Sequence, residues 1–232
     1  MKKLSLEEIT QEEKLRSELQ QAVVVPKERY VKITFLIATE GMKTEPIYFN
    51  ALKKELEATN RFNIEVSVEG KGIPTLDLVR KVIRQVENNH QEYDRVWAVF
   101  DKDDFKNFDD AINLASQHNV KCAWSNECFE LWLLLHFEDV LTSTRRENLF
   151  DELETAICEA MRRSNPSAIY RLSKGEKRIY EFVNTLGNES DAINRAAKLK
   201  SKFETASKPS DQNPCTHVDE LILELRHPEK YA

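Results

Sequence analysis

Hydrophobic and polar residues follow two different spacings along the chain up to position 140. Short runs rich in valine, isoleucine and aromatic residues are typical of strands, whereas apolar residues three or four positions apart are typical of helices. The runs predict strands at Tyr30 to Ala38, Phe62 to Val68, Val96 to Phe100 and Val120 to Trp124. Helical spacing separates them, with one helix predicted over Thr75 to Asn88 and another opened by Ser125. Strands that alternate with helices predict an α/β fold with a mainly parallel sheet flanked by helices.

The two ends of the chain have a different pattern. A capping box at Ser5 to Glu8 predicts a peripheral helix within residues 1–25, which Pro26 separates from the first strand. Beyond Val140 the pattern becomes wholly helical. We therefore predict three parts: an N-terminal peripheral helix over 1–25, an α/β core over 26–140, and a C-terminal helical accessory region over 141–232.

The third predicted strand ends abruptly in carboxylates at Asp101, Asp103 and Asp104. Acids this close repel one another and raise each other's pKa unless a cation lies between them, which predicts a metal site. A solvated turn that caps the next helix is the competing interpretation. Glu40 follows the first strand, and parallel strands with right-handed crossovers end at one common edge, where ligands bind. We therefore expect Glu40, Asp101 and Asp103 to lie close together.

Composition and charge narrow the class of protein. The 232 residues are 41% hydrophobic, which is sufficient for a sizeable core, and the net charge of −6 argues against non-specific coating of nucleic acid. Residues 162–208 nevertheless contain eleven Lys and Arg against five Asp and Glu, a basic flank suited to a polyanion or simply a solvated helix face. No apolar run could span a bilayer and no signal-type segment occurs, so we expect a soluble, cytoplasmic protein without a membrane partner.

The cysteines indicate neither a zinc ribbon nor a disulfide framework. None of Cys122, Cys128, Cys158 and Cys215 forms a CxxC pair, so free thiols are expected. A zinc site from Cys122, Cys128 and His136 matches no standard spacing, and His136 is expected to be a core or boundary residue.

Four segments together look like the RloB-like family, a branch of the Toprim-fold proteins found in prokaryotic defence and restriction loci. The segment Ser125 to Phe137 is the most specific of them, although the family usually has proline where Glu127 stands. The other matching segments are Phe35 to Gly41 with Thr44, Glu45, Tyr48 and Phe49; Val99 to Phe105; and Asn213 to Thr216. The resemblance implies a Toprim/Rossmann-like sheet, with a glutamate after strand one and an Asp-x-Asp after strand three.

On this pattern Glu40, Asp101 and Asp103 are the predicted catalytic residues. They are also the predicted ligands of Mg²⁺ or Mn²⁺, since hard cations take oxygen ligands. Glu130 is a weaker candidate ligand, and a spacing of four would place it on one helical face with Asn126. The remaining candidates are Glu45, Asn126 and Asp104 as supporting residues, and Lys174, Lys177, Arg178 and, more weakly, Lys71 as phosphate-binding residues.

The leading hypothesis is a metal-dependent nuclease that acts on DNA or RNA in an anti-phage defence system. The alternative is a non-catalytic defence subunit that binds a nucleotide, nucleic acid or an ATPase. The resemblance implies an AAA-type ATPase as a partner, and a homo-oligomer is a further expectation. A phosphatase with an aspartate nucleophile is disfavoured because Asp-x-Asp follows the third strand rather than the first, and the chain has no room for the cleavage domain of a topoisomerase.

Overall fold

A mainly parallel sheet forms the centre of the protein, as predicted. The computed structural model describes residues 33–58, 63–68, 73–88, 93–104, 106–203 and 207–231. Within these, the strands are β1 (Thr34–Thr39), β2 (Asn63–Val68), β3 (Arg95–Asp101), β4 (Lys121–Asn126) and β5 (Cys215–Thr216), in the order β2-β1-β3-β4-β5. The first four strands are parallel, and the short β5 pairs antiparallel with β4. The predicted α/β class is therefore confirmed.

Helices cover both faces of this sheet. Their bounds are α1 (Thr44–Ala58), α2 (Thr75–Asn88), α3 (Phe108–Gln117), α4 (Glu130–Leu134), α5 (Arg146–Arg162), α6 (Ile179–Leu186), α7 (Glu189–Lys200) and α8 (Val218–Arg226). Successive residues of β1 enter opposite cores: Phe35 packs with α1 and the C-terminal helices, and Leu36 packs with α2 and α3. Because neither face of the strand meets water, the hydrophobic run shows no alternation. No helix in the described ranges is long and apolar enough to cross a membrane.

The predicted helix opened by Ser125 is wrong. Strand β4 continues through Asn126, and α4 begins only at Glu130. The reason is a distant partner, since Ser125 and Asn126 pair with Thr216 and Cys215 of β5. The Ser125 and Thr216 hydroxyls lie 2.8 Å apart and add a side-chain hydrogen bond to this pairing. For the same reason, the expectation that the chain is wholly helical beyond Val140 fails at β5.

The strand order reverses between β1 and β3. From β1 the chain crosses to β2 on one side, and β3 then pairs with the opposite side of β1. Crevices at such a reversal, outside the carboxyl ends of the strands, are where open α/β sheets bind ligands.

The helix predicted within residues 1–25 lies outside the described residues.

Candidate functional site

The structure places the predicted acids beside one another at this reversal. Glu40 directly follows β1 and Asp101 ends β3, two strands that pair up to Thr39 and Val99. The Glu40 backbone N–H donates to the Val99 carbonyl at 2.9 Å, which continues the pairing by one residue. Asp103 follows in a turn with φ of 38°, a left-handed conformation that aspartate tolerates better than most residues. Two neighbouring strand ends thus supply three carboxylates to one crevice.

A cavity of about 630 Å³ opens over these residues. Its walls come from the β1–α1 loop, the end of β3, the first turns of α1 and α4, the first two turns of α5 and the loop before α6. Seven carboxylates line it, Glu40, Glu45, Asp101, Asp103, Glu130, Glu147 and Asp151, beside three basic residues, Lys43, Arg146 and Lys174. Acidic groups therefore outnumber basic ones in the cavity wall.

The excess of buried acid raises the pKa of several of these carboxyl groups. Burial raises the pKa of Glu40 to about 7, although hydrogen bonds from the Asp101 backbone and the Thr75 hydroxyl oppose it. Burial, followed by the Asp101 neighbours Glu45 and Glu130, raises the pKa of Asp101 well above its usual range, with Arg146 opposing. The pKa of Asp103 is raised for the same first reason. Part of the cluster therefore holds protons near neutral pH, unless a cation enters.

Glu45 belongs to the cavity as well as to the start of α1. Glu45 is only 8% exposed. Burial, and after it the negative charge of Glu130, raises the pKa of Glu45 to about 7. A Cβ on Gly41 would overlap the Glu45 carboxyl group, so any other residue at position 41 would require the Glu45 side chain to move. The N-terminal end of α1 favours an anion at this position. Both roles considered for Glu45, a helix N-terminal acid and a supporting site residue, are compatible with its position.

Arg146 is the main residue that sequence reasoning missed. Its guanidinium forms an ion pair with Asp101 through Nη2, and its Nη1 lies 2.9 Å from Asp103 Oδ1. The Arg146 backbone N–H donates to Glu127 Oε2 at 2.9 Å, so Glu127 holds the first turn of α5. No local pattern signals these contacts, because Arg146 lies 45 positions from Asp101 in the chain.

The other predicted residues lie at different distances from the cavity. Lys174 is exposed and lines the cavity, whereas Arg178 pairs with Glu181 at 2.5 Å and lies outside the lining. Lys177 and Asp104 are exposed and are also outside the lining residues. Lys71 lies outside the described residues.

The prediction that Asn126 shares a helical face with Glu130 is wrong. Asn126 is the last residue of β4, and its side-chain amide donates to the Ser210 carbonyl at 3.2 Å. Glu130 alone of this pair lines the cavity, at the first position of α4. Asn126 thus holds the loop before β5 instead of facing the cavity.

The carboxylates fit a hard divalent cation by their chemistry, but they do not form a finished coordination shell. Within the described ranges, no three Asp, Glu, His or Cys side chains are arranged as ligands of one metal ion. The carboxylates of the cavity offer oxygen atoms as metal ligands, which Mg²⁺ and Mn²⁺ prefer. A positive group, the Arg146 guanidinium, already contacts both Asp101 and Asp103. These two carboxylates therefore suit a bound positive charge.

The zinc site weighed in the sequence analysis is not formed by its three residues. Cys122, Cys128 and His136 are not among any set of described residues that could hold a metal. His136 is buried as expected, with Nδ1 3.0 Å from the Trp132 carbonyl, and burial lowers its pKa to about 4. The four cysteines are free thiols, as predicted.

Comparison with known proteins identifies one family. A family model described as RloB-like protein matches residues 35–225, which is most of the chain. No curated protein and no solved structure matches the chain significantly. The matched range contains every described carboxylate of the cavity and Arg146.

Proposed function

This chain belongs to the RloB-like protein family, and we propose that it is a metal-dependent nuclease that hydrolyses phosphodiester bonds of DNA or RNA in anti-phage defence. The observation that carries the proposal is the meeting of Glu40, Asp101 and Asp103 at the carboxyl ends of two adjacent strands, in an acidic cavity. Such a cluster of buried acids with raised pKa values is costly for folding and is common at functional sites. The defence role rests on the family resemblance alone.

The acids divide into two roles in this proposal. Asp101 and Asp103, with Glu130, would hold Mg²⁺ or Mn²⁺, and Glu40 would be either a further ligand or the general acid/base. When bound there, a divalent cation would supply charge neutralisation and Lewis-acid polarisation of a phosphoryl oxygen and of water. Glu40, with its pKa raised to about 7 by burial, can accept and return a proton near neutral pH, as a general acid/base must.

The basic residues at the cavity would contact the substrate backbone. Lys43 and Lys174 are exposed and line the cavity beside the acids. Gly175, with φ of 79°, lets the Lys174 loop pack on the aliphatic part of Lys43. Lysine contacts to phosphates orient a nucleic acid without reading its sequence. The proposal therefore predicts activity on many sequences.

The test is a cleavage assay with a matched control. The purified chain is incubated with labelled single- and double-stranded DNA and with structured RNA, in Mg²⁺, Mn²⁺ or EDTA. We expect metal-dependent cleavage that falls roughly 1,000-fold in Asp101→Asn, equivalent to about 4 kcal/mol in the barrier. Asp110→Asn, on the exposed side of α3, should cleave as well as the wild type. If Asp101→Asn cleaves equally well, the assignment is wrong.

A second candidate is a non-catalytic subunit that binds a nucleotide, nucleic acid or an AAA-type ATPase. The observation that favours it is the pairing of Asp101 and Asp103 with Arg146, together with the absence of a formed three-ligand metal group in the described ranges. This candidate predicts no cleavage in any metal, and binding of nucleic acid that persists in EDTA. Metal-dependent cleavage by the isolated chain would exclude it.

A further inference from the structure

Arg146 pairs with two carboxylates of the cavity at once. One guanidinium serves two carboxylates, through Nη2 to Asp101 and through Nη1 to Asp103, whose Oδ1 lies 2.9 Å away. These are the two acids proposed above as metal ligands. The other basic residues of the cavity, Lys43 and Lys174, are exposed. Arg146 thus occupies the place between the carboxylates where a metal ion would bind.

The backbone of Arg146 is held independently of its guanidinium. Its backbone is anchored at the first turn of α5 by the Glu127 carboxylate, at 2.9 Å. Its side chain is 37% exposed, and its buried Nε makes no hydrogen bond within the described part of the chain. A buried donor without a partner, such as this Nε–H, costs free energy. If the guanidinium moved into the solvent, the Nε–H could bind water. Because this anchor does not involve the guanidinium, departure of the side chain from the two carboxylates would leave the start of α5 in place.

We propose that Arg146 occupies the cation position between Asp101 and Asp103 in the metal-free protein and that a divalent metal ion competes with it for these carboxylates. The inference rests on the proposed function, because it takes Asp101 and Asp103 as the metal ligands. Binding of the metal requires the guanidinium to leave, so the contact lowers the apparent metal affinity. A guanidinium released at the cavity pairs well with a phosphate, which couples metal binding to substrate binding.

The test measures metal binding directly, without reference to activity. Manganese binding to the full chain is followed by the electron paramagnetic resonance signal of free Mn²⁺. We expect Arg146→Gln to bind Mn²⁺ about tenfold more tightly than the wild type, within the usual range of coupling between sites. Arg145→Gln removes the same charge from the exposed neighbouring residue and should change the affinity less than about twofold.

Two further measurements separate competition from misfolding. Thermal melting in EDTA shows whether Arg146→Gln folds, and Mn²⁺ should raise its Tm more than it raises that of the wild type. If this variant does not fold, Arg146→Lys takes its place. It keeps the charge but loses the two-pronged contact, and should bind Mn²⁺ more tightly than the wild type by a smaller factor.

The outcomes distinguish the inference from the function on which it rests. If the wild type binds Mn²⁺ and Asp101→Asn does not, while Arg146→Gln binds no more tightly than the wild type, the competition is refuted and the metal site stands. If neither the wild type nor the folded Arg146 variant binds Mn²⁺, both the competition and the metal-dependent function are refuted.

Discussion

Among the buried carboxylates of the described residues, Glu224 and the acids of the cavity have very different numbers of cationic partners. The Glu224 side chain in α8 is 0% exposed, and its two oxygens lie 2.7 Å from Arg95 Nε and 2.8 Å from Lys121 Nζ. The Trp97 indole N–H also donates to it at 3.0 Å. One carboxylate therefore has two cations and a neutral donor. Such an arrangement ties β3, β4 and α8 together.

The cavity reverses this ratio. There Asp101 and Asp103 share the guanidinium of Arg146, and Glu40 and Glu45 have pKa values raised to about 7 by burial. A buried carboxylate paired with two cations can stabilise the fold. A group of buried carboxylates that outnumbers its cations reduces stability and favours binding of a cationic ligand. Both sites are buried, so burial does not distinguish them. The number of cations per buried acid is what distinguishes the structural Glu224 from the candidate functional cavity.

The largest expected effect would break the contrast on the structural side. Glu224→Gln removes the charge that Arg95 and Lys121 share, and it leaves both cations without their buried partner. We expect a loss of about 2–3 kcal/mol in the free energy of unfolding, measured by urea denaturation. Glu229→Gln, on an exposed residue of the same chain end, should stay within about 0.5 kcal/mol of the wild type. Equal stability of the two variants would show that Glu224 is not structural in this sense.

The second effect has the opposite sign and depends on pH. The pKa of Glu45 is about 7 in the folded protein, against 4.5 as its ordinary value, because burial and Glu130 disfavour the charge. The folded state therefore holds a proton on Glu45 that the unfolded state has lost, and the contribution of Glu45 to stability falls as the pH rises from 4.5 to 7. In EDTA, Glu45→Gln should be more stable than the wild type by about 1–2 kcal/mol at pH 8 and nearly equal to it at pH 4.

The control for this prediction is Glu57→Gln, which removes one carboxylate from the outer side of the same helix, where Glu57 pairs with Lys53 at 3.6 Å. Urea denaturation over a series of pH values compares the two variants with the wild type. Glu40, whose pKa is also raised to about 7, makes both proteins lose some stability as the pH rises, so the difference between them is what decides. A Glu45→Gln variant whose advantage over the wild type does not grow between pH 4 and pH 8 would mean that Glu45 does not carry this pKa shift.

Sequence reasoning reached the site from local patterns and one topological rule. The unbroken apolar run before Asp101 predicted a strand buried on both faces, and the shared edge of parallel strands placed Glu40 nearby. Both steps depend on residues close in the chain. Five of the seven acids of the cavity were therefore predicted, including Glu130 as a weaker candidate, whereas Glu147 and Asp151 of α5 were not.

The partners of these acids could not be predicted in the same way. Arg146 reaches Asp101 across 45 positions, and β5 pairs with β4 across about 90. Neither contact has a periodic signal, because each depends on how the C-terminal helices fold back on the sheet. The same cause explains the error at Asn126, whose strand conformation depends on Cys215. Local pattern therefore predicted most of the acids that meet, but not the cation that Asp101 and Asp103 share.

The smallest expected effect sharpens the contrast on the cavity side. Lys174 and Lys177 are exposed and three positions apart, but only Lys174 lines the cavity. Lys174→Gln should weaken binding of a cleavage-resistant single-stranded oligonucleotide in Mg²⁺ by roughly 3–5-fold and reduce the slope of log Kd against log salt by about 0.7, as loss of one phosphate contact requires. Fluorescence anisotropy at several salt concentrations measures both quantities. Lys177→Gln removes the same charge and should change the affinity less than about 1.5-fold. Equal effects of the two substitutions would mean that the nucleic acid responds to the basic flank as a whole and not to the acidic cavity.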